Sequence, residues 1–288
     1  GDSFESILLR REEFALQGIP FEIVYGKLEE TAEDTVFSKK PNEVTYPLAA
    51  PKGFYIFKIV SIDQKKIQDM IQSGLHYGHR KNKTHPKAAK FILPTRNNIE
   101  IMNLEITYGK IVEATEMIKK VISNNGLVLF VSTLPSAKDC VKDIAKSLNQ
   151  PFVINRWIGG LLTNYKTISE RVKHYVEIKQ KLSDGEFDKY TKKERVKMEK
   201  ELEKLEEKFG GLVGMHKKPE LVFIIDPRYH KTAVLEANSS KIDVIAVLDN
   251  DDNPTTITCP IPANDSSVSS ISYILGEIKT NIQNKNSI

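Results

Sequence analysis

Short runs that are apolar from end to end narrow the possible folds of this chain more than any other feature. "GLVLFVS" from Gly126, "PFVIN" from Pro151, "ELVFIID" from Glu220 and "DVIAVLD" from Asp243 are of this kind, and "IEIMNL" from Ile99 is read with them. A strand with one wet face alternates apolar and polar residues, so runs like these need cover on both faces. Helical spacing recurs between them, over roughly 104–124, 136–149, 228–239 and 265–284. Strand and helix in alternation specify a parallel sheet with helices on both sides, a doubly wound α/β sandwich. The 288 residues, 40% of them hydrophobic, suffice for one sizeable core.

Local signals fill in the frame. "SIDQKKIQDMIQSG" reads as a short helix, with capping-box spacing from Ser61 to Gln64 and a stop at Gly74. In "IIDPRYHK", Asp226 is placed to cap a helix whose first position is Pro227. One segment, 163–210, holds no strand candidate. Tyr165, Ile168, Val172, Tyr175 and Leu182 fall at helical spacings there, "SDG" at 183–185 breaks the pattern, and "TKKE" from Thr191 opens a second helix seamed by Met198, Leu202, Leu205 and Phe209, with Gly210 and Gly211 ending it. This predicts a protruding antiparallel hairpin. The organisation is then an N-terminal extension over 1–62, a first part of the core over 63–162, the hairpin over 163–210, and the rest of the core with a C-terminal helix over 211–288. The extension has acidic clusters, prolines and no sustained period; it either wraps a partner or the core surface, or is a disordered tail.

Net charge is only +4, so the total says little about partners and the distribution must be used. Between Asp69 and Glu100 there is no acidic residue, while Arg80, Lys81, Lys83, Lys87, Lys90 and Arg96 accumulate. Turn formers and amides in "GHRKNKTHPKAAKFILPTRNN" place these donors on an irregular surface loop, suited to a folded polyanion; the plainer reading is a solubilising loop. Six phosphate contacts would give a log-log salt slope of about 4 to 5. The alternating charges of the hairpin favour a solvated or protein-contacting face instead.

A second patch surrounds "NRWIGGLLTNYKTI". Arg156, Lys166, Arg171 and Lys173 meet only one acid, Glu170, and Asn155 and Asn164 add neutral donors. Gly159 and Gly160 have no side chains to hold a phosphate off, Thr163 or Asn164 can cap the following helix, and its N-terminus would offer N–H groups to an anion. Trp157 could stack on a base or ribose, though packing as a core or hinge residue is favoured for a lone tryptophan.

"SGLHYGHRKNKTHPK" from Ser73, "NRWIGGLLTNYKTI" from Asn155, "IIDPRYHK" from Ile224, "AVLDNDDNP" from Ala246 and "PIPANDSSVSSI" from Pro260 together resemble, in order, the signature blocks of the ribosomal protein S2 family of the small subunit. The likeness covers about residues 63–285. It implies a flavodoxin-like α/β domain with a coiled-coil hairpin, contacts to ribosomal RNA and neighbouring ribosomal proteins near the head–body junction on the solvent side, and no catalytic role, cofactor or metal. The chain departs from the family at "STLPSAKDC", where a lysine-bearing segment is usual, so no RNA contact is carried onto Leu134 or Pro135. The extension, with a Lys-, Asn- and Ile-rich composition, tilts the reading toward an organellar version, in the mitochondrial matrix of a fungus; a bacterial cytoplasm or chloroplast is the alternative.

The main rival is a nucleotide-binding α/β enzyme, but no G-x-G-x-x-G or G-x-x-x-x-G-K-[ST] follows any strand. His76, His79 and His85 have no nearby cysteine and sit among cations, which argues against zinc. Asp249, Asp251 and Asp252 read as an acidic turn, lacking the Gly and Glu of a calcium loop. The serines and aspartates of "ANDSSVSSIS" have no nucleophile elbow, and Asn264 reads as a helix cap with Asp265 in the first turn. Cys140 and Cys259 have neither disulfide nor metal spacing, which fits a reducing compartment. No apolar run is long enough to span a bilayer.

Overall fold

The computed structural model describes residues 48–50, 53–55, 64–94, 98–184 and 191–283. In an N-terminal unit, 1–64, β1 (Leu48–Ala50) pairs antiparallel with β2 (Gly53–Tyr55). The acidic clusters of the expected extension, the Ser61 cap and Arg96 lie outside the described residues.

The second unit runs from Lys65. After α1 (Gln64–Gln72) come β3 (Tyr77–Arg80), β4 (Ile92–Leu93) and β5 (Ile99–Met102), a three-stranded antiparallel sheet in the order β3–β5–β4. This corrects two expectations. "IEIMNL" does not join the parallel sheet, because its hydrogen-bonding edges are taken by β3 and β4. Nor is the cationic segment an irregular loop: it is two 3₁₀ turns, Lys81–Lys83 and Pro86–Phe91, set between strands.

The main sheet follows. Its strands are β6 (Val128–Val131), β7 (Phe152–Val153), β8 (Leu221–Ile225), β9 (Asp243–Leu248) and β10 (Cys259–Pro262), all parallel. They lie in the order β10–β9–β8–β6–β7, which is flavodoxin-like. β10 carries no strand signal in "CPIP", since proline lacks a ladder donor; as the outermost strand it tolerates Pro260 and Pro262.

Every described residue of β6 and β8 is buried, and alternation along them assigns each helix to a face. Val128, Phe130, Phe223, Ile245 and Ile261 pack with α2 (Leu104–Ser123), α3 (Lys138–Ser147) and α7 (Val268–Gln283); the rings of Phe130 and Phe223 lie 5.5 Å apart. Leu129, Val131, Val222, Ile224 and Leu248 face the other way, against α4 (Tyr165–Ser183), α5 (Lys192–Phe209) and α6 (Lys231–Ser239). Three helices that lead into the sheet end alike. Asn125, Asn149 and Lys241 adopt φ of 55°, 52° and 54°, and the next amide bonds back to Val121, Ala145 and Ala237, a Schellman stop that turns each helix into the following strand.

The hairpin formed by α4 and α5 takes the place of a crossover helix between β7 and β8. Its seam is Val172, Tyr175, Leu202 and Phe209, buried, with Leu205 packed beside them; Leu182, expected on the seam, is exposed near the tip. The capping box of Thr191 and Glu194 forms as read. Where the hairpin returns to the sheet, a Cβ on Gly211 would stand 2.2 Å from the Phe152 carbonyl oxygen, so only glycine fits. α6 starts at Lys231, later than expected. Asp226, at φ 58°, instead caps the preceding turn, accepting from the Tyr229 amide at 2.8 Å.

Candidate nucleic-acid interface

Arg80, Lys81, Lys83, Lys87 and Lys90 are all exposed, and none is ion-paired with a carboxylate among the described residues. Elsewhere lysines are neutralised locally: Lys66 by Glu277, Lys110 by Glu113, Lys119 by Glu116, Lys179 by Glu206 and Lys217 by Glu220. Lys90 lies over the Phe91 ring, 4.8 Å from its centre. The segment is thus a run of one sign without internal counter-charge, which is what a polyanion needs to find.

Its backbone is fixed from a distance. Asn250 is fully buried in the loop after β9. Its Oδ1 accepts from the His79 amide at 2.6 Å, and its Nδ2 donates to Thr84 Oγ1 at 2.8 Å and to the His79 carbonyl at 3.4 Å. Its own carbonyl accepts from the His85 amide at 2.8 Å. Gly78 lets the strand come this close, since a Cβ would meet Asn250 Oδ1 at 3.0 Å and the Glu100 carbonyl at 3.2 Å. Buried Ala88 and Phe91 anchor the second 3₁₀ turn, and His85 Nδ1 caps it by accepting from the Lys87 amide at 3.2 Å. Sequence reasoning missed Asn250; its only trace was an amide among aspartates in "LDNDDNP".

The second patch is assembled differently from the expectation. The amides of Gly160 and Leu162 and the indole Nε1 of Trp157 all donate to the Glu236 carboxylate, at 2.9, 3.1 and 3.0 Å, with Thr163 adding longer bonds. The turn leading into α4 does gather N–H groups round an anion, but that anion is the protein's own. Burial pushes the Glu236 carboxyl up, and the Trp157 and amide donors outweigh it, so the group sits below its usual range. Trp157 packs half-buried on the core with its donor engaged, as a hinge residue would. Asn155 donates to the Glu207 carbonyl at 3.0 Å, and Asn164 accepts from Thr167 at 3.0 Å. Arg156, Lys166, Arg171 and Lys173 are exposed. Lys166 and Lys173 share a stripe of α4 with Glu170 between them, while Arg171 points about 140° away, so the four do not converge. Glu236 left one mark in the sequence, a lone acid on a helical face otherwise made of Ala233, Val234 and Ala237.

At the sheet's switch point between β6 and β8, where enzymes of this architecture hold ligands, buried His230 bridges the ends of the two strands. Its Nε2 accepts from the Thr133 amide at 2.9 Å and its Nδ1 donates to the Asp226 carbonyl at 2.8 Å, and burial lowers its pKa. The three histidines of the cationic segment share no centre. His85 is a cap, His79 faces Asp249 and Asp251 at 3.9 Å each, and burial lowers the pKa of His76. Of the acidic turn, Asp251 pairs with Arg228, whereas Asp252 joins Asp226 and Asp265, their oxygens within 4.8 Å of one another. These three are the carboxylates among the described residues that could hold a cation. Burial, with neighbouring carboxylates, pushes Asp252 up to about 7 and Asp265 up to about 9; burial also raises Asp249.

Fold and surface together define a class: a flavodoxin-like α/β scaffold with an inserted hairpin, whose unpaired positive charge is gathered on one segment. Residues 70–284 match the family model described as Ribosomal protein S2, and the chain belongs to that family. It is accordingly a structural protein of the small ribosomal subunit. No described helix is long and apolar enough to cross a membrane.

Proposed function

We propose that this protein binds ribosomal RNA through the segment from Arg80 to Lys90, and neighbouring ribosomal proteins through the hairpin and the outer surfaces of the α/β core. The observation that carries the reading is the row of exposed, unneutralised cations held on a backbone pinned by Asn250. Its mechanism is charge neutralisation of folded RNA on a preformed surface, so little ordering entropy opposes binding. Of the second patch, Arg156, Lys166 and Lys173 offer peripheral phosphate contacts, and Trp157, Asn155 and Asn164 shape the turn that presents Arg156. The compartment proposed is the mitochondrial matrix, supported by the long segment ahead of the family-matched residues and by the Lys-, Asn- and Ile-rich composition.

Replacing Arg80, Lys81 and Lys83 together with alanine tests the reading. Incorporation into small subunits, followed by quantitative mass spectrometry, should fall, and the log-log salt slope for RNA binding should drop by about 2 to 3. Unchanged incorporation and slope would remove this segment from the interface.

A further inference from the structure

We infer that the cavity at the base of the hairpin is a binding site for a nucleoside polyphosphate. The inference goes beyond the RNA reading and does not depend on it, since the segment from Arg80 to Lys90 takes no part in this cavity.

The cavity, about 350 Å³, lies where α3, β7, α4 and the end of α5 meet. That volume falls within the roughly 300–1,000 Å³ of small-molecule sites. Lys142 and Lys146 stand one turn apart on the same side of α3, and Lys208 belongs to the last turn of α5. All three line the cavity, and none is ion-paired with a carboxylate among the described residues. Lysines without a counter-charge serve phosphate as point charges. Tyr175 adds a donor of another kind. Its side chain is fully buried yet lines the same cavity, and its hydroxyl accepts from Lys179 Nζ at 3.2 Å. None of its bonds to described residues uses the hydroxyl's own proton. A buried donor is costly to leave without an acceptor, so this proton is available to an oxygen bound in the cavity.

The rest of the lining selects among anions. Glu206 is neutralised by Lys179 at 3.0 Å, whereas Glu207 has no ion pair among the described residues. A free carboxylate repels phosphate but accepts from ribose hydroxyls, as an acid does in dinucleotide sites. Half-buried Phe152, with Val213 exposed beside the same space, supplies the apolar wall on which a base can lie. The lysines thus suit the phosphates, Glu207 the sugar and Phe152 the base. A polynucleotide fits less well, because it carries a charge at every step and would leave the cavity past Asp139 and Asp143 of α3 or Glu203 of α5, all of them exposed acids. Arg156 also lines the cavity and is the one cation shared with the RNA contacts proposed above.

The test is calorimetric titration of the full chain with ADP, adenosine, pyrophosphate and oligouridylate. ADP should bind saturably, at least about tenfold more tightly than adenosine and more tightly than pyrophosphate. Lys142→Ala with Lys146→Ala, two surface changes to a good helix former, should weaken ADP at least about tenfold and leave oligouridylate binding unchanged. Tyr175→Phe keeps the packing, removes the hydroxyl and should weaken ADP about fivefold. The Arg80/Lys81/Lys83 variant should bind ADP as the parent does, so that failure of the RNA reading and failure of this one are told apart. No saturable ADP binding, adenosine or pyrophosphate binding as tightly as ADP, or unchanged ADP affinity in the Lys142/Lys146 variant would each overturn the proposal. Displacement of ADP by oligouridylate in the Arg80/Lys81/Lys83 variant would also overturn it and make the cavity part of an RNA surface.

Discussion

Asn250→Ala should loosen the cationic segment while sparing the sheet. The substitution deletes the acceptor of the His79 amide and the donor to Thr84 Oγ1, both in a fully buried position. One orphaned buried N–H costs about 1–3 kcal/mol, and the lost Thr84 bond adds about 1 kcal/mol, so closure of the segment weakens by about 2–4 kcal/mol. That corresponds to an opening constant about 30- to 1,000-fold larger. The main sheet makes none of these bonds, and a domain of this size has enough stability to remain folded. Native-state hydrogen exchange read by mass spectrometry would report both regions: peptides covering 79–85 should lose protection and those covering Val128–Val131 should not. Asn250→Asp keeps the acceptor but loses the donors, and should expose Thr84 more than His79. Equal loss in both regions would make Asn250 an ordinary core residue, and unchanged exchange at 79–85 would refute the latch outright.

The remaining predictions concern other parts of the fold. Asp252 and Asp265 have folded pKa values near 7 and 9, above the ordinary 3.8, so the folded state binds more protons and stability falls as pH rises through that range. Urea midpoints should therefore decline from pH 5 to 8, and Asp265→Asn should flatten the decline and add at least about 1 kcal/mol at pH 8; an unchanged profile would contradict this. Glu236 has the opposite sign: its carboxyl is held below 4.5, so its contribution is complete above that value and lost as pH falls through its folded pKa. Glu236→Ala should cost about 2–4 kcal/mol and shift the emission of the chain's one tryptophan to the red. Lys241→Gly relieves a left-handed residue at a Schellman stop and should raise stability by about 0.5–1 kcal/mol in thermal unfolding.

Buried strands and hairpin were readable because their signals are local: an apolar run, a spacing of three and four, a capping box at Thr191. β10 was not, because its pairing depends on being outermost, which two prolines permit but do not announce. The antiparallel sheet was hidden for a similar reason. Its three strands are two to four residues long, and one is interrupted by a bulge. The exposed cations could be read from composition alone, since charge density is a property of the chain. What orders them could not, because Asn250 lies 171 residues from His79 and an isolated amide has no motif. The "NRWIGGLL" turn shows the limit most clearly. Glycines and a helix start did predict an anion-binding arrangement, but only the fold reveals that Glu236, 76 residues beyond Gly160, already supplies the anion.

The separation between Asn250 and the strand it clamps also has a temporal side. During translation the arginine and lysines of 80–90 leave the ribosome long before residue 250 is joined to the chain. At 5–20 residues per second the interval is roughly 10–30 s. Until then the nascent protein carries its positive charge on a backbone with no latch, so the cationic segment takes its defined shape only after residue 250 has been made.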